Sequence, residues 1–476
     1  MRPVLANMGL VLQLAGILVA FPIMMGFVYN ETQAIIALFI TGFVFFTTGF
    51  VLNALSIREW LDFRQSCVLL TGTFFVLGFI GSLPYFLLNV FNDTSIGARF
   101  VNSFFESISG YTTTGFTLIS NIDALPRSIV FYRSFTHLMG GIGIVLILLA
   151  FFYRGKTLEH LTKVINLVGS PTNNIKKSLI SVLEIYVLYV FLLSGLFYAL
   201  DYAGLADSIS VVLSSFMTGG FTPTEDMSKY TFFPSGGLLM LMMFLGATSF
   251  FIHHRIFSKR FMSAITKELV AFIFIIFAGI IAVQAAYPVD FSTIAFNVVS
   301  ACTTTGFSTM DFSAMADNVK LIFIALMFVG GMSISTAGGI KVFRVLLLFK
   351  AISFTIGSVI GRTTDRISLD GHEYCRRDII TNLLFIILSG AAVIIVTFLL
   401  SFAGFSLADS LFEATSAFST VGLTTGIISV SLATHLKAAF ILLMVLGRVE
   451  IIAFLVAVTR IRAQKNHTPA PTASKE

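Results

Sequence analysis

Nine residues, Ser109-Gly110-Tyr111-Thr112-Thr113-Thr114-Gly115-Phe116-Thr117, recur three more times along the chain, as Ser214–Thr222 (SSFMTGGFT), Ser300–Ser308 (SACTTTGFS) and Ser416–Thr424 (SAFSTVGLT). Aligned without gaps, all four copies have Ser first, Thr fifth, Gly seventh, a large apolar residue eighth and a hydroxyl ninth. Their seventh-position glycines, Gly115, Gly220, Gly306 and Gly422, stand 105, 86 and 116 residues apart, too far for a solenoid unit. Each copy therefore belongs to a substructure of several helices.

The solvent of those helices follows from composition. Of 476 residues 56% are hydrophobic and only 11% charged, which excludes an ordinary soluble enzyme and implies a polytopic membrane protein. Ten apolar runs are long enough to cross a bilayer, near 8–28, 35–55, 67–90, 130–152, 179–200, 232–252, 269–287, 320–349, 379–402 and 436–458. The first has no small-residue cleavage site after it and reads as a retained helix.

The four copies lie between spans three and four, five and six, seven and eight, and nine and ten. Before each runs a short amphiphilic stretch, such as Ile96 to Thr112, that at ~1.5 Å per residue reaches only about 25 Å. Such helices enter the membrane and return. Cap residues are expected at their starts: Asp93 with Thr94, Asp207, Asp290, and Ser406 with Asp409. The negative end of each helix dipole then points at the Thr/Gly segment and favours a cation there. Non-helical backbone at membrane depth is tolerated only inside protein or beside a watery path. Four such segments around one axis make a ring of carbonyls that can replace the water around an ion.

Charge sets the orientation. With the N-terminus inside, the outer loops hold Arg99, Arg127, Arg133, Lys229, Lys320 and Lys437 against thirteen acids, leaving 24 basic and 11 acidic residues elsewhere. The positive-inside rule selects this arrangement, with both termini cytoplasmic and the four segments in the outer half of a cell membrane below an acidic vestibule. The excess of +6 is dispersed in short loops, so nucleic acid is not an expected partner.

A span, a re-entrant helix with a TTGF-like segment and a second span, repeated four times, resemble the Trk/Ktr/HKT superfamily of potassium transporters. Two additional N-terminal spans make the chain most similar to its Trk-type membrane subunits. The resemblance implies a homodimer with one pore per subunit, a cytosolic nucleotide-binding regulatory subunit of the TrkA kind on the inner face, and potassium as the transported ion with no other cofactor. It also marks two gating elements. One is the flexible run 330–339 (GGMSISTAGG) in the eighth span, including Gly330, Gly331, Gly338 and Gly339, which cannot hold a helix against entropy and is expected to be a movable loop under the filter. The other is Arg448 in the last span, whose burial cost requires a cavity or a partner such as Glu184. In the family an arginine here points into the pore. Lys341 is a weaker candidate and serves as an interfacial anchor.

The expected fold is all-α: two transmembrane helices in 1–60, repeats over 61–155, 156–258, 259–365 and 366–462 around one central pore, and a disordered tail over 463–476. The ion is expected at the two residues before each glycine and at the glycine itself: Thr113, Thr114, Gly115; Thr218, Gly219, Gly220; Thr304, Thr305, Gly306; and Thr420, Val421, Gly422. In part of the superfamily a serine in place of the first-repeat glycine accompanies sodium permeation; all four positions are glycine here, so the resemblance implies a preference for potassium over sodium. A sodium- or proton-coupled symporter of the same superfamily is the alternative, but it calls for a titratable group near the membrane centre, a role for which a permanently charged arginine is poor. No paired carboxylates, Ser/His set or metal cluster suggest an enzyme. Cys67 and Cys375 read as packing residues and Cys302, inside the third copy, as accessible from the pore. His137 reads as a packed or interfacial histidine.

Overall fold

The computed structural model describes residues 2–56, 61–93, 95–143, 175–200, 202–231, 234–259, 261–360, 367–369, 372–374 and 376–459. Thr94, Cys375, the end of the fourth expected span and the tail over 463–476 lie outside them. Among the described residues the fold is helical apart from one antiparallel ribbon, Ile367–Leu369 with His372–Tyr374.

An N-terminal hairpin of Arg2–Leu18, continuing as Ala20–Tyr29, and Thr32–Ala54 precedes the four repeats. In repeat 1 an incoming span (Phe63–Gly81, then Leu83–Leu88) leads to a re-entrant helix, Ile96–Tyr111, and an outgoing helix, Arg127–Leu138, that widens into a π turn over Met139–Gly143. Repeat 2 has Ile175–Ala199, the re-entrant Leu205–Phe216, and Ser235–Ala247 followed by Phe250–Phe257. Repeat 3 has Lys267–Ala286, Phe291–Cys302, and Asp317–Val329 separated from Val342–Val359 by a loop. Repeat 4 has Arg376–Phe402, Leu407–Phe418, and Thr434–Val449 followed by Ile451–Val458. At ~1.5 Å per residue the re-entrant helices span about 18–24 Å, short of a ~30 Å hydrocarbon core.

Two of the four expected helix starts differ in detail. Asp290 and Ser406 accept the Thr293 and Asp409 amides as caps, and the Ser292 hydroxyl and Thr293 amide hold the Asp290 carboxyl below its usual range. In repeat 1 the cap is Ser95, accepting from the Ala98 amide, while Asp93 accepts from Asn102 Nδ2 at 2.9 Å. In repeat 2 Gly204 occupies the cap position without a side-chain bond, and Asp207 pairs with Arg127 at 3.3 Å.

The repeats close into a circle because each outgoing helix packs on the re-entrant helix of the next repeat, and that of repeat 4 packs on the re-entrant helix of repeat 1. Polar straps follow the same order. Arg127 reaches Asp207, Lys320 reaches Asp409 at 2.6 Å, and Lys437 donates to Asn102 Oδ1 at 2.7 Å.

The sixth and tenth spans, expected as continuous helices, bend by 103° and 106°. At the first bend the carbonyls of Gly246 and Ala247 accept from the Thr336 and Met332 amides of the repeat 3 loop instead of continuing their own helix. At the second, Glu450 takes a left-handed φ of 70° and its carboxylate pairs with Arg344 at 2.7 Å. Just before the break or turn, each of these outgoing helices passes directly under the end of its own re-entrant helix. A Cβ on Gly140, Gly246 or Gly447 would strike the carbonyl of Tyr111, Phe216 or Phe418. Gly246→Val should therefore push the second re-entrant helix off its seat at a cost of about 1–3 kcal/mol. A lowered melting temperature of the detergent-solubilised protein is the expected reading.

Candidate functional site

All four re-entrant helices end in one hydrogen-bonding pattern. The fifth-position amide bonds to the second-position carbonyl (Thr113 to Gly110, Thr218 to Ser215, Thr304 to Ala301, Thr420 to Ala417, 3.0–3.2 Å). The sixth-position amide bonds to the first-position carbonyl (Thr114 to Ser109, Gly219 to Ser214, Thr305 to Ser300, Val421 to Ser416, 2.8–2.9 Å). This is a Schellman termination, which needs a left-handed residue after the helix and usually finds glycine there. Here the residue is threonine each time, at φ of 54°, 52°, 55° and 49°. A β-branched residue in that region costs of order 1–3 kcal/mol and persists only where its surroundings impose it.

The amides of the fifth and sixth residues thus turn back to the helix, while their eight carbonyls meet no hydrogen-bond donor among the described residues. Buried carbonyls do not ordinarily stay unpaired. Their closeness is visible at the glycines. A Cβ on Gly115 would strike the Gly219 carbonyl, on Gly220 that of Thr305, on Gly306 that of Val421 and on Gly422 that of Thr114. These contacts run once round the four repeats, and with φ of 78–88° each of these positions requires glycine for space and for conformation.

Behind the ring, in three of the four repeats, the residue nine before the glycine ties the far side of the segment. Glu106 accepts from the Thr117 hydroxyl and the Leu118 amide, both at 2.9 Å. Asn297 accepts from the Ser308 hydroxyl and the Thr309 amide at 3.2 and 3.1 Å. Glu413 accepts from the Thr424 hydroxyl and the Thr425 amide at 2.5 and 2.8 Å. Repeat 2 has Val211 at this position and Pro223, which has no amide hydrogen, where the others have the donor. Glu106 alone of the three pairs with a cation among the described residues, Arg133, at 3.0 Å and fully buried.

Below the ring lies the loop of repeat 3. The Gly338 amide donates to Thr304 Oγ1 at 2.7 Å, and a Cβ there would strike the Ser419 carbonyl. Three groups fasten the loop. Glu268 accepts from the Ser333 amide (2.6 Å) and hydroxyl (2.9 Å), Gly246 accepts from Thr336, and Arg448 donates to the Thr336 carbonyl at 2.7 Å. Arg448 also donates to the carbonyls of Gly140 and Gly141. Its partners are carbonyls and not a carboxylate; Glu184, the partner considered from the sequence, is not among them. Lys341 donates to Ala337 O within the loop segment.

The family profile of TrkH, a cation transport protein, matches residues 34–277 and 282–468. The chain belongs to the TrkH family. An uncharacterized cation transporter of Methanocaldococcus jannaschii is 29% identical over 478 residues, 95% of this chain and 94% of the relative. The Trk system potassium uptake protein TrkH of Escherichia coli is 27% identical over 65% of this chain and 68% of its own length. The crystal structure of the potassium transporter TrkH from Vibrio parahaemolyticus superposes with a TM-score of 0.83 at 24% identity, covering 96% of this chain and 98% of that one.

In this TrkH-family chain the twelve residues expected at the ring do come together, and Gly330, Gly331, Gly338, Gly339 and Arg448 gather directly beneath them. Two expectations change. Cys302 is 0% exposed within the protein core and not accessible from the ring. Of the thirteen outer acids, Glu106 and Glu413 are buried behind the ring, and Asp207 and Asp409 are bonded to Arg127 and Lys320, so the vestibule carries less free negative charge than counting implied. Sequence reading missed Glu106, Asn297, Glu413 and Glu268. For the first three a signal existed: polar residues at one fixed distance before the glycine in otherwise apolar helices.

The two glutamates should respond differently to the same change. Glu106→Gln leaves Arg133 a buried cation without its carboxylate, a loss of about 3–5 kcal/mol. Glu413→Gln keeps an acceptor for the Thr425 amide, as Asn297 does for Thr309, and should cost about 1 kcal/mol. Thermal melts of the two variants in detergent check the contrast.

Proposed function

We propose that the ring is a potassium-selective filter and that the chain is the ion-translocating subunit of a Trk-type potassium uptake system. The observation that carries this reading is the set of eight buried carbonyls that meet no donor among the described residues, brought together by four copies of one helix ending. Such groups need a cation or water, and they can replace the hydration shell of a weakly hydrated monovalent ion. Family membership supports it, as do relatives named as potassium uptake proteins. Permeation is channel-like, with Thr113, Thr114, Thr218, Gly219, Thr304, Thr305, Thr420 and Val421 supplying the ligands. A homodimer in the cell membrane, both termini cytoplasmic, with a nucleotide-binding regulatory subunit on the inner face, completes the proposal.

Rubidium uptake into liposomes holding the purified chain should exceed sodium uptake at equal gradients. Gly115→Ser, whose side chain must displace the Gly219 carbonyl, should reduce the preference. Equal uptake of the two ions by the unmodified protein would overturn the reading.

The loop over 330–341 and Arg448 form the barrier below the filter. Arg448 joins the Thr336 carbonyl to the Gly140–Gly141 turn, so it holds the loop across the path and also places a fixed positive charge there. At an effective dielectric of ~20 two unit charges 6 Å apart repel by roughly 3 kcal/mol before screening. Arg448→Ala should speed rubidium flux several-fold while leaving the rubidium-to-sodium ratio nearly unchanged, because the filter bonds are elsewhere. Wild-type flux in folded Arg448→Ala protein would remove this residue from the barrier.

A further inference from the structure

Repeat 2 lacks the far-side tether that holds the segment in each of the other three repeats. It has Val211 in place of the tethering Glu or Asn, Pro223 in place of the tethered amide, and Met217 where repeats 1 and 3 have Thr112 and Thr303. In those repeats the fourth-position hydroxyl bonds to that of the sixth, Thr112 to Thr114 and Thr303 to Thr305, at 2.8 Å. Repeat 2 has Gly219 as its sixth residue and can make no such bond. Yet its backbone follows the same path, with Thr218 and Gly220 both left-handed like their counterparts.

What replaces these bonds comes from repeat 1. His137, on the outgoing helix and 0% exposed, reaches behind the second segment: its Nε2 lies 3.3 Å from the Phe221 amide and its Nδ1 lies 2.9 Å from the Gly110 carbonyl. The Phe221 amide is a donor, so Nε2 accepts, the proton sits on Nδ1, and Nδ1 donates to Gly110. One neutral tautomer thus joins the end of the first re-entrant helix to the exit of the second filter segment. The imidazole also fills the space of a sixth-position side chain, since a Cβ on Gly219 would strike its ring. Arg133, one turn earlier, donates to the Thr222 carbonyl at 3.4 Å and lies 4.2 Å over the Phe221 ring.

We propose that His137 is a specificity-determining positioning residue, which sets the second filter segment from the neighbouring repeat in place of the tether that segment lacks. The inference rests on reading the ring as a potassium filter. Without the bond to Phe221, the carbonyls of Thr218 and Gly219 lose their fixed level relative to the other three repeats, and discrimination by ion size falls.

The test compares His137→Leu, which keeps bulk and loses both hydrogen bonds, with His137→Gln, which keeps a donor and an acceptor. Rubidium and sodium uptake are measured in the same liposomes, with melting temperature followed separately. A net hydrogen bond of ~1 kcal/mol corresponds to about fivefold, so the preference should fall about fivefold in the Leu variant and stay within about twofold of wild type in the Gln variant. A folded Leu variant as selective as wild type would overturn the proposal, and absence of selectivity in wild type would instead overturn the filter reading. Should the Leu variant not fold, Gly219→Ala carries the test. The other three repeats have Thr or Val at this position, and the three atoms nearest the added methyl all belong to the His137 ring. Loss of preference in Gly219→Ala, restored at least in half by adding His137→Asn, supports the proposal; unchanged preference in the single variant overturns it.

Discussion

Everything at the centre of this protein depends on where four helices stop. Within a bilayer a helix end leaves amide and carbonyl groups that water does not reach. Here each end folds its fifth and sixth amides back onto the helix, at the cost of a left-handed threonine, and leaves the matching carbonyls without donors among the described residues. The neighbouring repeat's carbonyl then approaches so closely that the next position but one has to be glycine. Helix termination, ring closure and glycine at the seventh position are one constraint seen at three points.

The threonine strain has to be held by something, and the tethers on the far side are what hold it. Glu106, Asn297 and Glu413 pin the exits of three segments from within their own repeats, so that each segment is bonded at both ends. The arrangement is fourfold in backbone and not in side chains. Only Glu106 carries a buried counter-charge, and that cation, Arg133, also reaches into repeat 2. Repeats 1 and 2 are consequently coupled through a polar cluster that the other pairs of repeats lack among the described residues.

The inner side is built from the same economy of backbone groups. The bend at Thr248 frees the Gly246 and Ala247 carbonyls, and the loop of repeat 3 takes them. Glu268 holds the loop from one side and Arg448 from the other, so a glycine-rich run lies in a defined place beside the ring of carbonyls. The loop is held by several separate polar fastenings and also by its buried Met332, Ala337 and Ile340 side chains.

The repeat, the long apolar helices, the loop and the isolated arginine were legible in the sequence because each answers a local requirement: glycine where φ is positive, threonine at a fixed offset, apolar length against a bilayer, and a cation too costly to bury alone. The bends of the sixth and tenth spans were not legible, since neither Thr248 nor Glu450 breaks a helix by itself and the groups that stabilise the bends, Met332, Thr336 and Arg344, come from another repeat. The sequence alone also showed the departure of repeat 2, Gly219 and Pro223 included, but offered no reason for it. Tertiary structure decided that reason: a histidine 82 residues earlier occupies the volume that Gly219 leaves open, and hydrogen-bond partners brought together by ring closure cannot be deduced from spacing along one chain.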